Sequence, residues 1–264
     1  TSVFEYPRWK NGSYCDPSKN QFRQHPLDYI EGLEYTIKEI LNKIPGSAGQ
    51  ILAISIDTTG STPIAVDEKG TPLAFLPEFA DNPDAMFILW KDHTAVHEAD
   101  EINTLCRNWG GVDFSKYSGG IYSSEWYWAK ILHTIREDKR VGEAAFSWIE
   151  HCDWIPAVLT GTTDPLTIKR SRCAAGHKAM WHEDWKGFPS GDFLRQLDPR
   201  LNELRKHLPE NTFTCDIPVG SLTSEWAVRL GLSESVLVGT GAFDAHIGAV
   251  GGEIKPYHLI KVIG

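Results

Sequence analysis

The chain has 264 residues, of which 41% are hydrophobic and 23% charged, a composition typical of a globular protein with a substantial core. Its formal net charge of −9 at pH 7 argues against a nucleic-acid-binding surface over most of the molecule. Because no apolar run approaches about 18 residues, the sequence also predicts no membrane span.

The first predicted elements are a helix and a strand. Pro26 opens an amphipathic stretch that ends before Pro45, so residues 26–44 are predicted to form a helix. Alternating apolar residues then predict a strand over residues 51–57.

Three short strands are predicted next. Residues 64–66 and 73–75 flank the turn signal at residues 67–70, a pattern that predicts a hairpin. Residues 86–90 are apolar throughout and predict a buried strand.

The middle of the chain has the periodicity of helices. Residues 94–108 predict a helix that ends before Gly110, and Ser124 is predicted to cap a second helix with an apolar face. The same apolar spacing recurs over residues 145–152 and predicts a third helix that ends at Gly161.

The last third contains an irregular segment and then further regular elements. Residues 162–190 show no period, whereas residues 191–208 and 223–230 predict helices. Residues 236–238 predict a buried strand, and a helix is predicted to begin near Asp244. Strands mixed with helices in this way predict an α/β fold.

Asp244 is the candidate catalytic residue. Gly239 and Gly241 permit a sharp turn between the strand and the helix, so one carboxylate stands at the helix start beside a glycine-lined floor. Free N–H groups at that end stabilise a negative charge, and the carboxylate is placed to accept a proton. The alternative interpretation is a helix cap.

Two other segments suggest ligand contacts. The loop at residues 57–61 consists largely of small hydroxylated residues, which suit either a phosphate cradle or an ordinary turn. A basic cluster in this acidic chain indicates an anionic ligand or, equally, a solvated loop. Its members are Lys169, Arg170, Arg172, His177 and Lys178.

Asp92 and His93 follow a predicted strand, where α/β proteins commonly place ligand contacts, although Asp92 could instead cap a helix. His93, His97 and Glu98 lack a diagnostic metal spacing, so no protein-bound metal is predicted.

The five scattered cysteines form no CxxC pair, which favours reduced thiols in a cytoplasmic protein.

Five segments, taken together and in this order, resemble the FGGY carbohydrate kinases and within them the ribulokinase branch. They are Leu89-Trp-Lys-Asp-His-Thr-Ala95, Tyr117-Ser-Gly-Gly-Ile-Tyr-Ser-Ser-Glu-Trp126, Asp153-Trp-Ile-Pro156, Arg170-Ser-Arg-Cys-Ala-Ala-Gly-His-Lys-Ala-Met-Trp181 and Gly241-Ala-Phe-Asp-Ala-His-Ile-Gly-Ala-Val-Gly251. The resemblance implies an actin-like, ribonuclease-H-like fold with two domains around a cleft. It also implies transfer of a phosphoryl group from ATP, bound with Mg²⁺, to L-ribulose, which gives L-ribulose 5-phosphate in arabinose catabolism.

The resemblance further implies roles for individual residues. Asp244 matches the family's general base. The residues implied to bind the sugar are Lys178, Asp92, His93, Glu125 and Trp126. Two alternatives stay open: a sugar-binding module without catalysis, and a kinase of another pentulose or polyol such as xylulose. A homo-oligomer is also left open.

The chain departs from the family pattern at both ends. Residues 1–264 match the N-terminal sugar-binding domain without its first phosphate-loop strands, and the C-terminal nucleotide domain has no counterpart here. We therefore expect the residues that bind ATP to lie outside this chain, and the chain alone to be inactive.

Overall fold

Short strands alternate with helices along the chain in the computed structural model, which describes residues 1–261. The helices are α1 (Pro7–Lys10), α2 (Pro26–Lys43), α3 (Val96–Asn108), α4 (Tyr127–Glu137), α5 (Lys139–Ala144), α6 (His151–Thr160), α7 (Arg172–Lys178), α8 (Gly191–Leu197), α9 (Pro199–Lys206), α10 (Ser224–Leu230) and α11 (Asp244–Gly251). The strands are β1 (Cys15–Asp16), β2 (Gln21–Gln24), β3 (Ala53–Ile54), β4 (Asp57–Thr58), β5 (Pro63–Val66), β6 (Phe87–Ile88), β7 (Ser147–Glu150), β8 (Arg170–Ser171), β9 (Thr212–Phe213), β10 (Pro218–Ser221), β11 (Leu237–Gly239) and β12 (Ala242–Phe243).

Parallel pairing brings two distant parts of the chain together at one edge. β11 runs parallel to β3, and β12 runs parallel to β4 with Ala242 opposite Asp57 and Phe243 opposite Thr58. Because parallel strands end at the same edge, the residue that follows β12 lies beside the residues that follow β4. This register places Asp244 next to the loop after Thr58.

A second pairing holds that loop from the other side. β5 and β7 are antiparallel, with Pro63 opposite Glu150 and Val66 opposite Ser147, and all four residues of each strand are buried. The residues that precede β5 therefore meet the residues that end β7.

The larger hydrophobic core surrounds α4. Trp128 and Leu132 of α4 are fully buried, and the cluster extends to Ile102 of α3 and Phe193 of α8. A second cluster packs β5 and α6 against α2 and includes Trp154. Large apolar side chains of this kind contribute most of the burial that stabilises a domain.

Several predicted helices are confirmed. The helix predicted over residues 26–44 is α2, that over 94–108 is α3, and that over 223–230 is α10, which ends at Gly231 in the left-handed conformation with φ 70°. The stretch predicted as one helix over 191–208 is two helices, because Pro199 begins α9 and Asp198 caps it.

The helix predicted to run from residue 145 to Gly161 is confirmed at its end but begins later than predicted. Residues Ser147–Glu150 form β7, and α6 begins at His151 and ends at Gly161. Since β7 is buried on both faces, its residues lack the alternation of a half-exposed strand and match helical spacing by chance.

Three smaller predictions also differ from the structure. Residues Leu73–Phe75 form a 3₁₀ turn instead of the second strand of a hairpin. The segment at 162–190 contains α7, whose basic residues hide its short buried face. The residue that precedes α4 is Trp126, so Ser124 does not cap that helix.

Candidate active site

A cleft of about 440 Å³ opens beside the first residue of α11. The residues that matter most for its chemistry are Asp57, Thr58, Thr59, Trp90, Lys91 and Asp244. Two aspartates, two threonines, a tryptophan and a lysine thus line one space, which we call the cleft.

Asp244 lies in the cleft with its side chain exposed. The helix cap is Phe243 and Asp244 is the first helical residue, where its Oδ1 accepts a hydrogen bond from the Ala245 N–H at 2.6 Å. The predicted helix start is therefore confirmed, and the cap position belongs to the preceding residue. An exposed carboxylate at a helix start is available to a ligand in the cleft.

Gly241 explains how β12 reaches this position. A Cβ atom on Gly241 would stand 2.0 Å from the carbonyl oxygen of Cys152, so no side chain fits there. The backbone of β12 can therefore lie directly against α6, and the following residues project into the cleft.

A second group of predicted residues lies together at the end of α7. We call this group, made of His93, Glu125, Trp126 and Lys178, the polar patch. Lys178 Nζ lies 4.9 Å from the centre of the Trp126 ring, and His93 Nε2 lies 3.4 Å from Glu125 Oε1. Burial lowers the pKa of Lys178, while the charges of Glu150 and Glu125 oppose that shift.

Asp92 does not face the cleft. It is fully buried, and one of its oxygens accepts hydrogen bonds from the Phe22 N–H at 2.7 Å and from Arg23. The other oxygen accepts from the Thr94 N–H at 3.1 Å and the Thr94 hydroxyl at 2.6 Å. Asp92 therefore stabilises the loop that carries His93. Because none of its atoms is exposed, the structure does not support the predicted contact with the sugar.

His246 of α11 links that helix to the polar patch through His177. Its ring centre lies 5.0 Å from that of His177, which in turn lies 5.0 Å from the ring centre of Trp126. Its Nδ1 lies 2.7 Å from Cys173 Sγ, and the Phe243 N–H donates to the same sulfur at 3.4 Å. Sequence reasoning missed Cys173 and His246, although both fall inside the segments that carry the family resemblance.

The basic cluster predicted from sequence does not form one anion site. Arg170 is buried and donates to the Trp148 carbonyl at 3.0 Å, and Lys169 donates to the Pro218 carbonyl at 2.7 Å. Arg172 donates to the Thr212 hydroxyl at 3.1 Å. These three cations support the local fold, so the interpretation as a shared anionic-ligand site is wrong.

Neither a membrane-spanning helix nor a cluster of metal-ligating side chains occurs within residues 1–261. No helix in this range is both long and apolar enough to cross a membrane. No group of three or more His, Cys, Asp or Glu side chains in the same range is placed to hold a metal ion.

No protein-family model matches the chain. A ribulokinase from Vibrio parahaemolyticus is 48% identical over 265 residues, which cover 100% of this chain and 47% of that protein. A ribulokinase from Shouchella clausii is 37% identical over 243 residues, with 91% and 42% covered. The chain thus spans about half the length of the curated relatives it matches.

Solved structures show the same fold at low sequence identity. A xylulose kinase from Rhodospirillum rubrum superposes with a TM-score of 0.71 at 18% identity, covering 92% of this chain and 45% of the other. A glycerol kinase from Plasmodium falciparum with ADP gives 0.67 at 15% identity, covering 90% and 43%. The predicted actin-like α/β fold is confirmed by these neighbours.

Proposed function

The chain belongs to the FGGY carbohydrate kinases as a homologue of ribulokinases, and from that premise we propose that it forms the sugar-binding half of an ATP-dependent ribulose kinase. The reaction is phosphorylation of L-ribulose to L-ribulose 5-phosphate. The observation that carries the proposal is Asp244, an exposed carboxylate at the start of α11 that shares a cleft with the hydroxyls of Thr58 and Thr59.

Asp244 acts as the general base in this proposal. Its carboxylate accepts the proton of the reacting sugar hydroxyl as that oxygen attacks the γ-phosphorus of ATP and the bond from that phosphorus to the leaving ADP breaks. Asp244 thereby also orients the nucleophile. Because phosphoryl transfer involves little covalent chemistry by the protein, correct placement of that hydroxyl supplies much of the rate.

The polar patch binds the rest of the sugar. The Lys178 ammonium donates hydrogen bonds to sugar oxygens, and Glu125 and His93 pair with hydroxyl groups through atoms that are partly exposed. The Trp126 ring offers an apolar face to the carbon skeleton. Asp92 acts indirectly, by holding the loop that presents His93.

MgATP supplies the phosphoryl group and the positive charge that stabilises its transfer. Magnesium in kinase sites is held mainly by one or two carboxylates and the phosphates, so a dedicated protein cage is not required. Within residues 1–261, Asp57 suits that mode, since it lines the cleft and is separate from the proposed base. We assign no described residue to the adenosine.

The thiols agree with a reducing compartment. All five cysteines in the described chain are free, including Cys215, which is exposed. We therefore place the kinase in the cytoplasm, where sugar phosphorylation draws on ATP.

The substitution Asp244→Asn in the full-length kinase tests the proposal. We expect kcat with L-ribulose to fall roughly 10²–10⁴-fold because the amide cannot accept the proton. Ribulose binding by calorimetry and the melting temperature stay near their wild-type values. The matched control is Asp100→Asn, an exposed carboxylate of α3, which leaves turnover unchanged. Wild-type turnover in Asp244→Asn would contradict the role of base.

A substrate panel tests the choice of sugar. The name of the ribulokinase relatives supports ribulose as the substrate, whereas a xylulose kinase stands among the structural neighbours. We expect kcat/KM for L-ribulose to exceed that for D-xylulose and ribitol. A higher value for D-xylulose would contradict ribulose as the substrate but would still support a sugar kinase. Sugar binding without any ATP-dependent turnover would support only a sugar-binding module.

A further inference from the structure

A buried ammonium group joins two of the loops that line the cleft. Lys130 of α4 is 1% exposed, and its Nζ donates to the Ser61 carbonyl at 2.6 Å and the Leu89 carbonyl at 2.7 Å. Ser61 ends the loop that carries Thr58 and Thr59, and Leu89 precedes Trp90. One side chain therefore bonds both loops from behind, without reaching the cleft itself.

A buried carboxylate holds the same loop from its other side. Glu150, the last residue of β7, is 3% exposed, and its Oε2 accepts the Thr62 N–H at 2.7 Å while its Oε1 accepts the Ser61 hydroxyl. The carbonyl of Ser61 and the N–H of Thr62 belong to one peptide group. Lys130 and Glu150 thus hold the two polar ends of a single peptide.

Such a pair is not explained by stability alone. Taking an ammonium and a carboxylate out of water costs several kcal/mol each, and well-packed apolar residues often stabilise a core as well or better. Burial lowers the pKa of Lys130 to about 7, and burial raises the pKa of Glu150. What the pair provides beyond packing is a fixed position for the bonded peptide.

We propose that Lys130 and Glu150 are positioning residues that set the distance between these two loops of the sugar cleft. They clamp the peptide between Ser61 and Thr62, and Lys130 ties that peptide to Leu89. The inference rests on the proposed function for its substrate. Because small displacements of a binding group weaken binding and turnover strongly, the clamp controls ribulose affinity and its alignment with Asp244.

The test is Lys130→Met in the full-length kinase, since methionine keeps the length of the side chain and removes its donors. We expect the Kd for L-ribulose by calorimetry, and its KM, to rise about tenfold or more. The matched control is Lys139→Met on α5, an exposed lysine, which leaves both values unchanged. A folded Lys130→Met protein with a Kd within about twofold of wild type, the spread expected for a neutral substitution, would overturn the proposal.

Glu150→Gln gives a second, independent readout. If Lys130→Met does not fold, a raised ribulose Kd in Glu150→Gln supports the clamp, and an unchanged Kd overturns it. Where both fold, the double variant binds no more weakly than the worse single variant, because both residues hold one peptide. Fully additive losses would contradict a shared peptide as the target.

The pH dependence of binding separates positioning from packing. The charged groups that face Lys130 are Asp92, Glu150, Arg23 and Glu125. Lys130 is protonated below pH 7, so wild-type affinity for ribulose weakens as pH rises through about 7. Lys130→Met lacks the titrating group, so its affinity for ribulose stays constant over this pH range. The same weakening with rising pH in Lys130→Met would count against the proposal. If wild type binds no ribulose at all, the proposed function fails instead of the clamp.

Discussion

Helices α4 and α11 both support the candidate site, but they are packed in opposite ways. In α4, eight of 11 residues are buried, including Trp128. In α11, none of the eight residues is buried, and the first of them is Asp244. Helix α4 therefore contributes buried contacts to stability, whereas α11 contributes the proposed catalytic residue. Few buried contacts, as in α11, are common in ligand-binding segments.

The largest expected effect is loss of stability from α4. Trp128→Ala removes a fully buried indole whose Nε1 donates to the Ala179 carbonyl at 2.8 Å. We expect the free energy of unfolding to fall by about 3–5 kcal/mol, measured by urea denaturation. Val228→Ala, at a valine that is 83% exposed, is the control and changes it by less than about 0.5 kcal/mol. A small effect of Trp128→Ala would break the contrast between the helices.

The second-largest expected effect is a loss of activity with little change in stability. Lys178→Met in the polar patch removes a cation whose pKa is lowered by burial, so the fold loses little or gains stability. We expect kcat/KM for L-ribulose to fall about 100-fold, as for loss of one charged hydrogen bond. Lys206→Met on α9 serves as the control in the same kinetic assay. An equal loss of melting temperature and activity would show that the patch also carries structure.

The pH dependence of stability tests whether the His151 side chain is buried like the core or accessible like the cleft. Burial lowers the pKa of this cleft-lining imidazole from 6.5 to about 3. The folded form therefore excludes a proton that the unfolded chain binds, and stability is lost as pH falls through 6.5 towards 3. We expect this single site to cost about 1.4 kcal/mol by pH 5.5 relative to pH 8.

His151→Leu removes that titration. The variant should show a shallower loss of unfolding free energy between pH 8 and pH 5.5 in denaturation curves at fixed ionic strength. An unchanged pH slope would mean that the His151 imidazole stays accessible to protons. The comparison is of slopes, so a constant packing difference between the variants does not affect it.

The smallest expected effect concerns the anchoring of α11. Cys173→Ala removes the sulfur that accepts from the Phe243 N–H and lies 2.7 Å from His246 Nδ1. We expect kcat to fall about fivefold with little change in KM, since Asp244 loses alignment while the polar patch persists. Cys215→Ala, at an exposed thiol, is the control. A change confined to KM would assign Cys173 to sugar binding instead.

Local patterns predicted the parts of the fold that local physics decides. The regular apolar faces of α2 and α3 and the glycine after α10 gave correct helices. β7 was missed because burial on both faces removes the alternation that identifies a strand.

The candidate site was predicted only in part, because sequence patterns report on local structure and not on contacts between distant residues. The helix start at Asp244 is a local signal, whereas the bonds of Lys130 to Ser61 and of Glu150 to Thr62 join residues 69 and 88 positions apart. Nothing in the sequence around Lys130 distinguishes it from the exposed lysines of other helices. The pairing of β5 with β7 brings Glu150 to Thr62, and the burial of α4 in the core brings Lys130 to Ser61.

The contact between Gly241 and Cys152 has a mechanical consequence. With 2.0 Å between the Cys152 oxygen and the place of a missing Cβ, the two backbones leave no room for a side chain between them. The start of α6 and the segment that leads into α11 therefore pack backbone against backbone. A closure of the cleft that keeps this contact carries Asp244 and His151 together.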